Sequence, residues 1–304
     1  MPEPVELCST GQPGAAVPTW NVVEHQAPAG YDEPGDALSW ENVEGIADMP
    51  VVRINNYADA YRLRAQAEDI HELAARPNRK SLTEFVNRQI LTAIQLAPDD
   101  VFVDIGCGDA TLLRMAKGRA SKCIGVSVSV EEQKRLESAF PDLCFIASHA
   151  QSLPLESESA TKIVCNATLL YLPSEDDILA ALREMVRIAR PGATIWIGDM
   201  PEIDEYAHYG MYRGTSMLAL LRHLMKHNGV RAVAGMLRRW LKAIVGSEQI
   251  VLNSCGILYA GPKKMLQLAE SCGLKLKTHF RHRELNESGE VVDSKFRYDY
   301  IFTV

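Results

Sequence analysis

Between residues 98 and 200 the chain alternates short apolar runs with segments of helical period, and few architectures accept that order. VFVDIG (101–106), CIGVSV (123–128), LCFIAS (143–148), KIVCNAT (162–168) and ATIWIGDM (193–200) read as strands. EEQKRLESAF follows the second strand, and the amphipathic DDILAALREMVRIA precedes the fifth, both with helical spacing. Strands separated by helices predict a mostly parallel sheet with helices on both faces. Ligands of such sheets bind at the carboxyl ends of the strands, near the point where the strand order reverses. Those ends are Asp104–Gly108, Ser127–Ser129, Ser148–Gln151, Asn166–Thr168 and Asp199–Glu202.

The flanks are organised differently. Residues 1–50 hold seven prolines, nine acids and no Lys or Arg, and show no sustained periodicity. They read as an arm, with Trp20, Tyr31 and Trp40 as apolar anchors for draping it over the rest. Residues 51–97 read as a helical cap: helical spacing from Asn56 to Ala75, then a second helix with Ser81 and Glu84 as a capping box and Pro98 as its stop. Residues 201–260 interrupt the alternation with two basic helical segments, MLALLRHLMKH and VRAVAGMLRRWLKAIV. Residues 261–304 return with a helix, PKKMLQLAESCG, and two strand-like runs joined by NESGE, a hairpin signal.

Composition narrows the function classes. A net charge of −7 and a pI near 5.7 argue against nucleic acid as a partner, because phosphate binding draws on basic surface. The seven cysteines are never spaced as CxxC, which speaks for reduced thiols in a cytoplasmic protein and against a zinc site or disulfide frame. No apolar run approaches the ~18–20 residues of a membrane span.

The first strand runs into a glycine turn, VFVDIGCGDATLL, with an acid two places before the first glycine. Glycines let backbone approach a ligand closely, and the following helix offers unpaired N–H groups; a tight strand-to-helix turn would also use them. A dinucleotide site wants GxGxxG, but Thr111 stands at the third glycine position. It also wants an acid closing the second strand, where Ser127-Val128-Ser129 stands. The nicotinamide reading fails on both counts.

Three segments in order resemble the class I S-adenosylmethionine-dependent methyltransferases of the small-molecule type. VDIGCGDA is similar to that family's first motif. SHAQSLPL resembles the segment after its third strand, and IVCNATLLYLPSEDDILAALREMVRIARPGATIWIGD its fourth-strand, helix and fifth-strand run. The resemblance spans about a hundred residues, and residues 274–304 resemble the family's C-terminal hairpin more loosely. It implies a Rossmann-like, seven-stranded, mostly parallel sheet with helices on both faces, to which the residues outside the resemblance add an N-terminal helical cap and an inserted helical lid. It implies S-adenosyl-L-methionine as cofactor and no metal. Asp104 would then orient the methionine end of the cofactor, Gly106 and Gly108 leave it room, and Asn166 and Ala167 lie along its amino-acid part. Ser127, with Ser129, stands where an acid usually holds both ribose hydroxyls, and a hydroxyl cannot be a charge-assisted bidentate acceptor; Glu132 or Gln133 would assist. His149, followed by Ala150, stands where an acid commonly accepts from the adenine amino group.

Methyl transfer from a sulfonium needs alignment and dryness, and a base only where the acceptor must lose a proton. DMPEIDEYAHY leaves the fifth strand where an acceptor pocket would open, so His208, Tyr209, Glu202 and Asp199 are candidates, with Tyr171 after the fourth strand. NATLLY stands in place of the NPPY of methyltransferases acting on amino groups of bases. The basic segment 211–245 reads as a lid, as a receptor for an anionic acceptor, or as a membrane-surface contact. The expectation is therefore a methyltransferase acting on O, N or C of a small molecule. The alternatives are a lipid-linked acceptor at a membrane surface, and a methyltransferase-like binding protein without catalysis.

Overall fold

The computed structural model describes residues 51–54, 57–66, 69–74, 80–202, 250–253, 258–286 and 288–304, with short helical pieces between 221 and 238. The arm 1–50 lies outside the described residues, as do His208 and Tyr209.

A strand β1 (Val51–Ile54) leads into helix α1 (Tyr57–Arg64), a 3-10 turn (Ile70–Ala74) and helix α2 (Lys80–Ile94). Then come β2 (Val101–Ile105), α3 (Thr111–Ala116), β3 (Lys122–Ser127), α4 (Val130–Ala139), β4 (Cys144–Ala147), β5 (Ala160–Asn166), α5 (Glu175–Ile188) and β6 (Ala189–Pro201). The chain closes with β7 (Ile250–Asn253), α6 (Pro262–Ser271), β8 (Lys275–Leu285) and β9 (Val291–Thr303). Seven strands form one sheet in the order β4-β3-β2-β5-β6-β9-β8, parallel except for β9, which runs antiparallel to β6 and β8. The chain steps from β2 outward to β4, then crosses back to β5 on the other side of β2. That reversal opens a crevice at the carboxyl ends of β2, β3 and β5.

Both faces are covered, and the period of two sorts residues between them. Val103, Ile163, Ile195, Ile197, Tyr300 and Phe302 pack into the core under α5 and α6. Their neighbours Phe102, Val164, Trp196 and Ile301 pack into the opposite core, with α2 and α3. Helix α2 contributes Leu82, Val86, Ile90, Leu91 and Ile94, one stripe at spacings of three, four and one. Each such side chain stabilises the fold by about 1.5–3 kcal/mol relative to exposure, so the cap is held to the domain by its second helix.

Four local expectations change. The helical pattern of 56–75 divides into α1 and a separate 3-10 turn. Helix α2 already begins at Lys80, so Ser81 sits inside it and Glu84 instead pairs with Arg88 at 3.1 Å. The helix ends at Gln95 in the left-handed region (φ 51), before Pro98 is reached. Cys144, on the edge strand β4, is disulfide-bonded where a thiol is expected, whereas Cys107, Cys123, Cys165 and Cys272 are free. Unforeseen is a two-stranded parallel pairing of β1 with β7, joining the start of the cap to the end of the insertion. Among the described residues no helix is long and apolar enough to cross a membrane.

Candidate active site

The glycine turn is set by packing as much as by any ligand. Gly106 (φ +78) and Gly108 (φ +52) are left-handed, and Ala110 follows at φ 59. A Cβ on Gly106 would lie 2.1 Å from Thr168 Oγ1, and one on Gly108 3.3 Å from the Cα of Ala74. Thr168 is itself fixed, its hydroxyl donating to the carbonyls of Ile105 (3.2 Å) or Asn166 (3.1 Å). The space each glycine frees is thus taken by the chain, by the β5 loop at Gly106 and by the cap at Gly108. The N–H groups of Gly106 and Cys107 both donate to Val126 O. Those of Gly108 and Asp109 have no partner among the described residues and remain as donors beside the crevice.

Two acids are buried here at the edge of ionisation. Asp104 is 4% exposed and makes no hydrogen bond or ion pair among the described residues. Burial, then the Asp109 charge, pushes its carboxyl up to about 7. Asp109 is itself occupied, accepting from Thr111 N at 3.0 Å and lying 2.5 Å from His71 Nδ1. Glu132, 2% exposed, is pushed to about 7 by burial, which outweighs its hydrogen bonds with Ser129. Ser129 and Glu132 form a capping box on α4.

Helix α1 crosses above these groups. The Tyr57 ring packs against Tyr171, tilted at 37° with centroids 4.2 Å apart. At the other end Arg135 Nη1 of α4 donates to Ala65 O at 2.6 Å, and Arg62 lies 3.7 Å from Glu131. Tyr61 is half-buried between them; desolvation first and nearby Tyr171 second hold its phenol well above the usual range, and Arg64 and Glu132 also act on it. The helix therefore reaches from the loop after β5 to the start of α4, across the crevice.

The sequence-derived positions converge in part. Ser127 is buried, its hydroxyl donating to Ser129 O at 3.3 Å. Gln133 is committed to strand β4, donating to Phe145 O and accepting from Ala147 N, so of the two proposed helpers Glu132 is the one at the crevice. Ala150 is buried and His149 exposed. Asn166 Oδ1 accepts from Trp196 Nε1 at 3.4 Å, and Ala167, at φ 53, donates from its N–H to Gly198 O at 3.0 Å. These residues sit at the carboxyl ends of β2 to β5, on one rim of the sheet. Tyr61 was missed by sequence reasoning, since nothing in the helical spacing of α1 says which neighbours it meets. A cavity of about 460 Å³ opens on the outer flank of the turn, lined by His71, Lys80, Thr83, Asp109, Thr111 and Arg114 among others. Asp104, Ser127 and Asn166 do not line it, so it is distinct from the crevice.

At the end of β6 a second group of charges forms. Asp199, 2% exposed at its side chain, stands at φ 64 in the left-handed region. Its N–H donates to Asp299 Oδ1 at 2.8 Å, and its Oδ1 accepts from Arg297 Nη1 at 2.5 Å. His282 Nδ1 lies 2.9 and 3.0 Å from the two oxygens of Asp299. Glu202 is half-buried, donating from its N–H to Phe296 O, with its carboxylate filling the space beside Gly261.

Residues 103–197 match the family model described as a methyltransferase domain. An O-methyltransferase of Pyrenophora dematioidea is 23% identical over 211 residues, 64% of this chain and 73% of that protein. Among solved structures, the N-methyltransferase NodS from Bradyrhizobium japonicum, in complex with S-adenosyl-L-homocysteine, superposes with a TM-score of 0.51 at 12% identity. That match covers 82% of this chain and 98% of NodS. A SAM-dependent methyltransferase from Methanosarcina mazei gives 0.50 at 15% identity, over 70% of this chain and 96% of its own. At these identities the structural matches speak for the fold.

Proposed function

We propose, from the premise that this chain is a class I S-adenosylmethionine-dependent methyltransferase, that it methylates an oxygen, nitrogen or carbon nucleophile of a small molecule. The observation that carries the assignment of the donor site is Asp104, a buried carboxylate with no partner among the described residues, beside two unpaired backbone N–H groups. A ligand bearing an ammonium, a carboxylate and a ribose answers that set. Asp104 takes the ammonium, the N–H groups of Gly108 and Asp109 take the carboxylate, and Ser127 with Glu132 takes the ribose hydroxyls. Ala150 and Asn166–Ala167 line the rest, and the exposed His149 contributes least.

When bound, the cofactor supplies an already activated methyl group. The chain's own task is to align and dry the acceptor. Helix α1, with Tyr57 and Tyr61 against Tyr171, excludes water from the crevice. Tyr171, Asp199 and Glu202 lie on the acceptor side, with His208 and Tyr209 as further candidates outside the described residues. A phenol held above its usual range, as at Tyr61, stays neutral and serves as donor and wall, so any base comes from one of the other candidates, an acid or His208.

The test is calorimetric titration with S-adenosyl-L-methionine and S-adenosyl-L-homocysteine, followed by a screen of small hydroxy, amino and carbon-acid acceptors. Micromolar binding, about −8 kcal/mol, with turnover of a soluble acceptor supports the reading. Binding without turnover on any acceptor favours a non-catalytic protein. Turnover only on vesicles favours a lipid-linked acceptor.

A further inference from the structure

Resting on that reading, we propose that Arg297 recognises a single carboxylate on the acceptor, held in aim by Asp199 from behind. Arg297 pairs across from Pro201, and Tyr298 from Met200, so β9 delivers the guanidinium to the carboxyl end of β6 on the acceptor side of the crevice. Its side chain is 28% exposed where that of its partner Asp199 is 2% exposed, so the acid is enclosed while the arginine reaches solvent in part. One nitrogen is taken by Asp199, and the guanidinium carbon stands 5.2 Å from the Phe296 ring centre. The remaining N–H groups have no acceptor among the described residues. A planar fork fixed on one edge presents the other edge as a bidentate carboxylate receptor.

Cost argues in the same direction. An ion pair this buried stabilises little compared with an apolar pair of the same volume. Asp199 in addition holds a left-handed backbone, a strain that persists where the surroundings over-determine it. The surroundings do so: Asp299 accepts from the Asp199 N–H and is itself held by His282. The whole array fixes one guanidinium at the mouth.

The charge of the neighbourhood selects the ligand class. Asp199 and Glu284 both act on Arg297, and the phenol of Tyr171 stands close. Asp199 already offsets the single charge of the guanidinium and Glu284 adds another negative one, so an anion is held here by the geometry of the fork and not by surplus charge, and a dianionic phosphate would meet more repulsion than a carboxylate. The carboxylate is an anchor; the methylated atom lies elsewhere on the acceptor.

The experiment uses the full chain saturated with S-adenosyl-L-homocysteine and titrates acetate and benzoate against acetamide, benzamide and phenyl phosphate, read by thermal shift and calorimetry. The carboxylates are expected to bind, the amides at least tenfold more weakly, and phenyl phosphate no better than benzoate. Arg297→Gln should lose at least tenfold in benzoate affinity, and Arg297→Lys part of that, since an ammonium keeps the charge without the fork. Because Arg297→Gln leaves Asp199 charged and buried, the double variant Asp199→Asn/Arg297→Gln removes both charges and guards against misfolding, with S-adenosyl-L-homocysteine binding as the check on the fold. Equal binding of acids and amides, no response to carboxylates by the loaded wild type, or an undiminished response in the double variant overturns the proposal. Failure of the wild type to bind S-adenosyl-L-homocysteine would instead remove the donor-site reading beneath it.

Discussion

The two halves of the rim manage charge in opposite ways. At the ends of β2 and β3, Asp104 and Glu132 are buried without a cationic partner within bonding distance, and both carboxyls are pushed to about 7. At the end of β6, the two enclosed acids are matched: Asp199 with Arg297, Asp299 with His282. An unpaired buried acid is an unfinished interaction that a ligand completes, whereas a paired one is finished architecture that holds something else in position. The donor half is therefore expected to respond to its ligand through protons and affinity, and the acceptor half to mutation through stability.

The largest expected effect tests that division from the acceptor side. Asp299→Ala strips the acceptor from the Asp199 N–H and from His282, and should cost about 2–4 kcal/mol in urea unfolding while leaving the cofactor affinity of the folded protein within twofold. A large loss of cofactor affinity there would erase the distinction between the halves. Asp104→Asn is expected to do the reverse. It should weaken S-adenosyl-L-homocysteine by ~10–100-fold, as for one lost charge-assisted hydrogen bond, with an apo melting temperature equal to or above wild type because a costly buried charge is gone.

Proton linkage sharpens the comparison further. A carboxyl raised to about 7 in the folded chain binds its proton more tightly than the unfolded chain does. Its stabilising contribution is complete below the ordinary carboxylate range and is lost as pH rises through 7. The apo protein should therefore lose stability between pH 5 and pH 8, and Asp104→Asn should flatten that slope. The cofactor's cation demands the charged form, so affinity should rise from about pH 6 to 8 by up to about tenfold per pH unit, with protons released on binding. Calorimetry in buffers of different ionisation enthalpy reads that release, and proton uptake instead would contradict the assignment. The smallest effect is expected at His149, which is exposed: His149→Ala should change cofactor affinity by less than about threefold.

The donor half was legible because its parts are local. Strand, turn and helix from Val101 to Ala116 are contiguous, and the apolar runs gave β2 to β5 to within two residues, because patterning and turn chemistry agree there. The glycines were legible as glycines but not in their reasons, since Thr168 lies 62 residues downstream of Gly106 and Ala74 lies 34 upstream of Gly108. Arg297 was invisible: its meeting with Asp199 depends on the register of β9 against β6, across 98 residues and an irregularity between Ile197 and Met200. The capping box at Ser81 failed for a nearer cause, a helix that starts at Lys80, two residues before the position a Ser81 cap requires.

The packing of Thr168 against Gly106 bears on how descendants of this sequence should be judged. A lineage that abandoned methyl transfer would still be bound to a glycine at 106, because the turn cannot close around Thr168 otherwise. Asp104, which costs the empty fold stability and whose side chain bonds to none of the described residues, would be released to drift towards asparagine or an apolar residue. Among relatives, the letter two places before the first glycine is thus the record of use, and the glycine itself only the record of ancestry.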